Sequence, residues 1–103
     1  MSCNIADMAT AEKIYMHSPE ILWNVINDIV EMRKGRVVHY DEESLKVDTE
    51  MYGVKTTYTF RIARLADGAS VSIGTDGEGE DGKRRIGLVF SMLESLLAPF
   101  GGQ

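Results

Sequence analysis

The run from Arg36 to Gly74 most constrains the fold of this chain, because four stretches that alternate apolar and polar residues follow one another with only very short breaks between them. Alternation with a period of two marks a half-buried strand. The stretches are Arg36 to Tyr40, Ser44 to Tyr52, Val54 to Leu65 and Ala69 to Gly74. If Glu42-Glu43, Tyr52-Gly53 and Asp67-Gly68 are each two-residue hairpin turns, the residues that face one another follow from counting. Val38 then faces Val47, Tyr40 faces Leu45, Met51 faces Val54, Val47 faces Tyr58, Leu45 faces Phe60, and Ile62 faces Ile73. Three separate turns thus agree on one apolar face of one antiparallel meander. The opposite face carries Lys46, Asp48, Glu50, Lys55, Thr57, Thr59 and Arg61. Neither Glu42-Glu43 nor Tyr52-Gly53 is the Asn-Gly or Asp-Gly pair that such turns prefer, so these are the joints at which a bulge or longer loop would shift the register.

A one-faced sheet must be covered, and two amphipathic helices are available to cover it. Ser18-Pro19-Glu20 reads as a helix start, with Ser as the cap, Pro at the first helical position and Glu at the positive end of the dipole. Leu22, Val25, Ile26 and Ile29 follow at helical spacing, and Gly35 after Arg33-Lys34 suits a left-handed C-terminal cap, so helix 1 is expected from Pro19 to Lys34. From Lys83 onward Ile86, Val89, Phe90, Leu93, Leu96 and Leu97 form a second stripe, closed by Pro99 and Gly101-Gly102. Residues Ala11 to His17 alternate as a further strand, with Ile14 and Met16 inward and Lys13, Tyr15 and His17 outward. Helix 1 separates that strand from its sequence neighbour, which places it beside Ala69 to Gly74. The expected fold is therefore α+β: a two-layer sandwich, β-α-β-β-β-β-α, with a five-stranded antiparallel sheet in the order 2-3-4-5-1 and two helices on one face.

Composition agrees with one such domain over residues 1–103. With 44% hydrophobic and 26% charged residues the chain reads as an ordinary globular protein. Residues 1–10 are expected to fray, and 75–82, acidic and glycine-rich, to form a mobile connection. No apolar run approaches the ~20 residues that span a bilayer, and the first residues carry neither a basic nor an apolar signal region, so the expected location is cytoplasmic. Cys3 is the single cysteine and cannot form an internal disulfide or, alone, a structural zinc site. A net charge of −5 disfavours nucleic acid or an anionic membrane as the main partner.

The first strand, Ser18-Pro19-Glu20-Ile21-Leu22-Trp23 and the nearby Asp28 resemble the opening of the helix-grip superfamily, which includes START domains, Bet v 1-like proteins and polyketide cyclases. The order of elements fits that superfamily across nearly the whole chain. Its usual second short helix with an aromatic-Pro segment, and two further strands, have no counterpart here. The chain also resembles small uncharacterised archaeal two-layer sandwiches. The helix-grip resemblance implies an apolar small molecule bound between the sheet and the C-terminal helix.

Candidate chemistry is sparse. Gly77-Glu78-Gly79-Glu80-Asp81-Gly82 is a literal G-x-G-x-x-G between a strand and a helix, yet its three acids would repel a pyrophosphate and no parallel strand follows to complete a βαβ unit. The same acids miss the calcium-loop spacing, with Asp81 at its glycine position and Gly87 at its last ligand position. Lys83, Arg84 and Arg85 fall on the first turn of helix 2, where cations oppose the dipole, and are candidates for binding an anion. His17 and His39 have no partner at a metal or triad spacing. No catalytic constellation, metal site or cofactor is expected, which leans against an enzyme. Trp23, Met51, Tyr58, Phe60 and Met92 are the candidate lining of an apolar ligand site. The competing expectation is a protein-interaction or homo-oligomerisation module, monomeric or weakly oligomeric, that uses solvent-facing strands or the small-residue stripe Gly87, Ser91 and Ser95.

Overall fold

A computed structural model describes residues 9–51, 54–76 and 79–100. In chain order these form β1 (Ala9–Tyr15), α1 (Pro19–Met32), β2 (Arg36–Tyr40), β3 (Ser44–Met51), β4 (Val54–Leu65), β5 (Gly68–Thr75) and α2 (Gly79–Leu97), closed by a 3-10 turn at Ala98–Phe100. The strands make one antiparallel sheet in the order β1-β5-β4-β3-β2, the expected order read from the other edge. Leu22, Val25, Ile26 and Ile29 of α1 and Ile86, Val89, Phe90, Leu93 and Leu97 of α2 share one core with the inner face of the sheet. Cysteine 3 and the rest of 1–8 lie outside the described residues, whereas Ala9 and Thr10 already belong to β1.

The register of the meander follows the alternation with two local changes. Met51 pairs with Val54, Val47 with Tyr58 and Leu45 with Phe60, as counted from the sequence. Glu42 and Glu43 do form the first turn. Asp41 supplies what an Asn-Gly pair would have supplied, its Oδ1 accepting from the backbone N–H groups of Glu43 and Ser44, both at 2.9 Å, and from the Ser44 hydroxyl. A bulge at Val38 then makes Val37, not Val38, the partner of Val47. The third turn is Ala66-Asp67 rather than Asp67-Gly68, so Ile62 meets Val71 and Phe60 meets Ile73. A two-residue slip preserves the face, and the apolar set survives it.

Strand β1 reverses the expected phase. Tyr15 and Lys13 pair with Ala69 and Val71 on the helix side, while Ile14 and Met16 are 70% and 76% exposed on the other. Lys13 and Tyr15 lay their apolar stems under α2 and raise polar tips to its edge, where Glu94 accepts from the Lys13 ammonium at 3.1 Å and the Tyr15 hydroxyl at 2.8 Å. Gly68 makes the junction with β5 close: a Cβ there would stand 2.0 Å from the Tyr15 carbonyl oxygen.

The helix ends explain two further departures. Ser18 caps α1, with Pro19 at the first helical position, as expected. At the other end Gly35 N–H donates to the Val30 carbonyl at 2.8 Å and Lys34 N–H to that of Glu31 at 3.1 Å, the paired bonds of a Schellman motif. The residue in the left-handed conformation is Lys34, at φ 55°, not Gly35. Gly35 is needed for another reason, since a Cβ there would lie 2.7 Å from a methyl of buried Val47. Helix α2 begins at Gly79, four residues before the expected start, so part of the acidic stretch is helical. Glu80 and Asp81 fit the positive end of the dipole, and Asp81 pairs with Arg84 and Arg85. Gly77 and Glu78 lie outside the described residues, and Thr75 is a buried end of β5.

Candidate functional site

Under the two helices the core leaves a cavity of about 60 Å³. Ile29 and Val30 of α1, Val47 and Thr49 of β3, Tyr58 and Phe60 of β4, and Leu88, Val89 and Met92 of α2 line it. The geometry follows from two periods acting at once. Inner-face positions alternate along β3 and β4, and Leu88 and Val89 each stand about one turn before Met92 on α2, so apolar atoms converge from three sides. A water needs roughly 10–15 Å³ on this measure, and an enclosed cavity of about 150 Å³ accepts benzene. The space exceeds one water and matches a short apolar group, with flexible Met92 and the exposed Leu88 at its margin.

Two arginines stand at the mouth. Arg33, just after α1, donates to the Met92 sulfur at 3.5 Å, and Arg85 of α2 donates to the Thr56 hydroxyl at 3.1 Å. Both line the cavity. The Tyr58 hydroxyl is pushed above its ordinary pKa by burial, against the pull of Arg85 and Arg33 and with the push of Asp76. The Asp76 carboxylate is itself held by the Thr57 N–H at 3.2 Å.

Of the five apolar candidates, Tyr58, Phe60 and Met92 meet at this cavity. Trp23 does not join them. It lies half-buried in an open depression between α1 and β2, beside Asn27, Val37, Tyr40 and the Asp41 turn. The side chain of Met51 lies outside the described residues. The basic triplet is also dispersed: Arg85 turns to the cavity, Arg84 to Asp81, and Lys83 toward Glu12 and Phe90 beside β1. Asp81, within the stretch expected to be a loop, is what neutralises the misfit between these cations and the helix dipole. Residues 79–82 of the G-x-G-x-x-G stretch are the first turn of α2.

Arg33 was missed as a lining residue, although the stripe of α1 points to it: Ile26, Ile29 and Arg33 continue the i, i+3, i+7 series. Arg85 stands four and seven residues before Val89 and Met92, on their face of α2, a spacing that singles it out from Lys83 and Arg84. Among the described residues no three His, Cys, Asp or Glu side chains gather as a metal site, and no helix is long and apolar enough to cross a membrane.

No family model matches the chain, and no curated protein does. Solved structures do resemble it. Protein MLL2253 from Mesorhizobium loti superposes with a TM-score of 0.66 at 17% identity, over 89% of this chain and 97% of that one. CalU16 from Micromonospora echinospora gives 0.67 at 12% identity, over 93% of this chain and 76% of its own. Ara h 8.0201 gives 0.52 at 11% identity, over 89% and 97%. At such identities the likeness concerns the path of the backbone alone, and it agrees with the element order on the page: the chain has a helix-grip fold, with a cavity between the helices and the sheet.

Proposed function

We propose that this domain binds a small apolar molecule in the cavity between α1, α2 and the sheet, without chemistry on it. The supporting observation is the cavity itself, an apolar-walled space in an otherwise closely packed core, edged by side chains that can move aside. Ligand pockets commonly exceed about 300 Å³, so the space accepts one end of a molecule while the rest lies along the mouth or displaces Met92. The test is an NMR titration with 1-octanol on the wild type and on Val89→Phe, which places a ring in the cavity. Saturable shifts at Tyr58 and Met92 are expected in the wild type, with at least about tenfold weaker binding in the variant. Octanol that shifts no cavity residue in the wild type would remove the proposal.

The interaction-module reading also has an observation behind it. Ser91 and Ser95 face outward in a shallow groove with Met32 and Leu88, which are 60% and 55% exposed, and a Cβ on Gly87 would touch nothing within 4 Å. The small-residue stripe therefore does not serve close packing within the molecule. Concentration-dependent sedimentation abolished by Leu88→Glu would favour this reading over the first.

A further inference from the structure

We propose a second site, separate from the cavity: the open depression between α1 and β2 binds a small free organic cation of the trimethylammonium kind, held by the rings of Trp23 and Tyr40 beside the charges of Asp41 and Glu42. Trp23 and Asn27 stand about one turn apart on α1 and form one wall. The opposite wall depends on the bulge of β2. In a regular strand Val37 and Tyr40, three residues apart, would point to opposite faces. The extra residue at Val38 puts both on the helix side, Val37 opposite Val47 and Tyr40 opposite Leu45. The space is about 460 Å³, ample for an organic cation when about 150 Å³ accepts benzene.

The chemistry of the lining selects the charge. Tyr40 is 73% exposed, and among the described residues neither its ring nor that of Trp23 is stacked on another ring or capped by a cation. Aromatic faces attract cations, Trp most strongly. The charged residues of the lining, Asp41 and Glu42, are both acids, on a chain of net charge −5. Donation from the Glu43 N–H and then the Ser44 hydroxyl holds the Asp41 carboxyl below the ordinary carboxylate range, so it is charged at neutral pH. Its Oδ1 is engaged by that turn, and its Oδ2 lies 3.6 Å from the His39 Nε2. Asp41 thus contributes charge more than free lone pairs. A trimethylammonium group forms no hydrogen bonds and uses charge, ring faces and the apolar surface of Val37 and Leu45. A primary ammonium must also replace the water on its three N–H donors. A phosphate attached to the cation would face the two acids with like charge.

The experiment is an NMR titration at about pH 8, where an ordinary histidine is neutral, with choline, its uncharged carbon isostere 3,3-dimethyl-1-butanol, ethanolamine and phosphocholine. Choline is expected to shift the Trp23 indole N–H and the Tyr40 amide, and to bind at least about tenfold more tightly than the isostere. Ethanolamine and phosphocholine should bind more weakly than choline. The choline-to-isostere ratio should fall toward one in Trp23→Leu, Tyr40→Leu and Glu42→Gln, and persist in Glu12→Gln, which removes an equal charge from β1 at the far edge of the sheet. An isostere as tight as choline would leave only an apolar depression, and ethanolamine as tight as choline only an ion-pairing surface; either overturns the inference. Phosphocholine binding more tightly than choline would assign the depression to a lipid headgroup and overturn the free cation. No shift with choline, or equal losses in Glu12→Gln and Glu42→Gln, also overturns it. The ligand comparisons on the wild type decide the matter even if Trp23→Leu fails to fold, and the octanol titration, read at Tyr58 and Met92, stands or falls separately.

Discussion

Lys34 holds the only positive φ among the described non-glycine residues, and it does so at the point where α1 turns into β2. A left-handed conformation costs an L-residue about 1–2 kcal/mol, part of which a glycine would return as extra freedom of the unfolded chain. Lys34→Gly should therefore raise stability by about 0.5 to 1 kcal/mol, read as a higher urea midpoint at unchanged slope; a lower midpoint would mean that the Lys34 side chain contributes more than its backbone costs. The sequence signal at this corner was half legible. A glycine near the end of a stripe does mark a helix terminus, but the two demands of the corner, a left-handed residue and a missing Cβ, fall on adjacent positions. Only the approach of Val47 from a strand distant in sequence tells which demand Gly35 meets.

At the scale of elements, the meander was readable because alternation repeats in each strand and any slip of two keeps the face. Strand β1 was not, because its inward positions hold Lys13 and Tyr15, whose stems serve as apolar surface at the margin of the helix layer. Its outward Ile14 and Met16 then imitate a core face. Tyr58, Phe60 and Met92 line the cavity, positions that the two periods make legible, whereas Trp23 stands apart from it because α1 presents that side chain toward β2. The attachment of β1 depends on Gly68. In Gly68→Ala the new methyl would collide with the Tyr15 carbonyl, a backbone atom that cannot rotate away, so a loss of about 3 kcal/mol is expected. Hydrogen exchange should show β1 amides losing protection while those of β3 and β4 keep theirs; equal loss everywhere would place the strain elsewhere.

For the whole molecule, the cluster of Glu94, Tyr15 and Lys13 ties the sheet edge to α2 and makes stability depend on pH. Donation from Tyr15 and then Lys13 holds the Glu94 carboxyl below the ordinary carboxylate range. Its contribution is present above the unfolded value of about 4.3 and is lost as pH falls through the lower folded value. Tyr15 is the reverse case, raised first by burial and then by Glu94. Its contribution is present below about pH 10 and is lost as pH rises beyond it. The Lys13–Glu94 pair is half exposed, so its share is below about 1 kcal/mol. Urea unfolding across pH should show both limbs flattened in Glu94→Gln, and an unchanged profile would remove the cluster as their source.

The helix layer stops short of β2, every residue of which is exposed, including Val37, Val38 and a 73% exposed Tyr40. An open sheet ending in such a strand offers another chain a template for growth, and a flat, regular edge of this composition is a nucleus for fibrous aggregation. The irregularity at Val38 interrupts the ladder of β2 midway and increases its local twist, so the unpaired edge presents no long straight row to a second molecule. In that light the bulge acts as a guard against polymerisation, letting a small domain keep an apolar margin at the end of its sheet without offering a straight template.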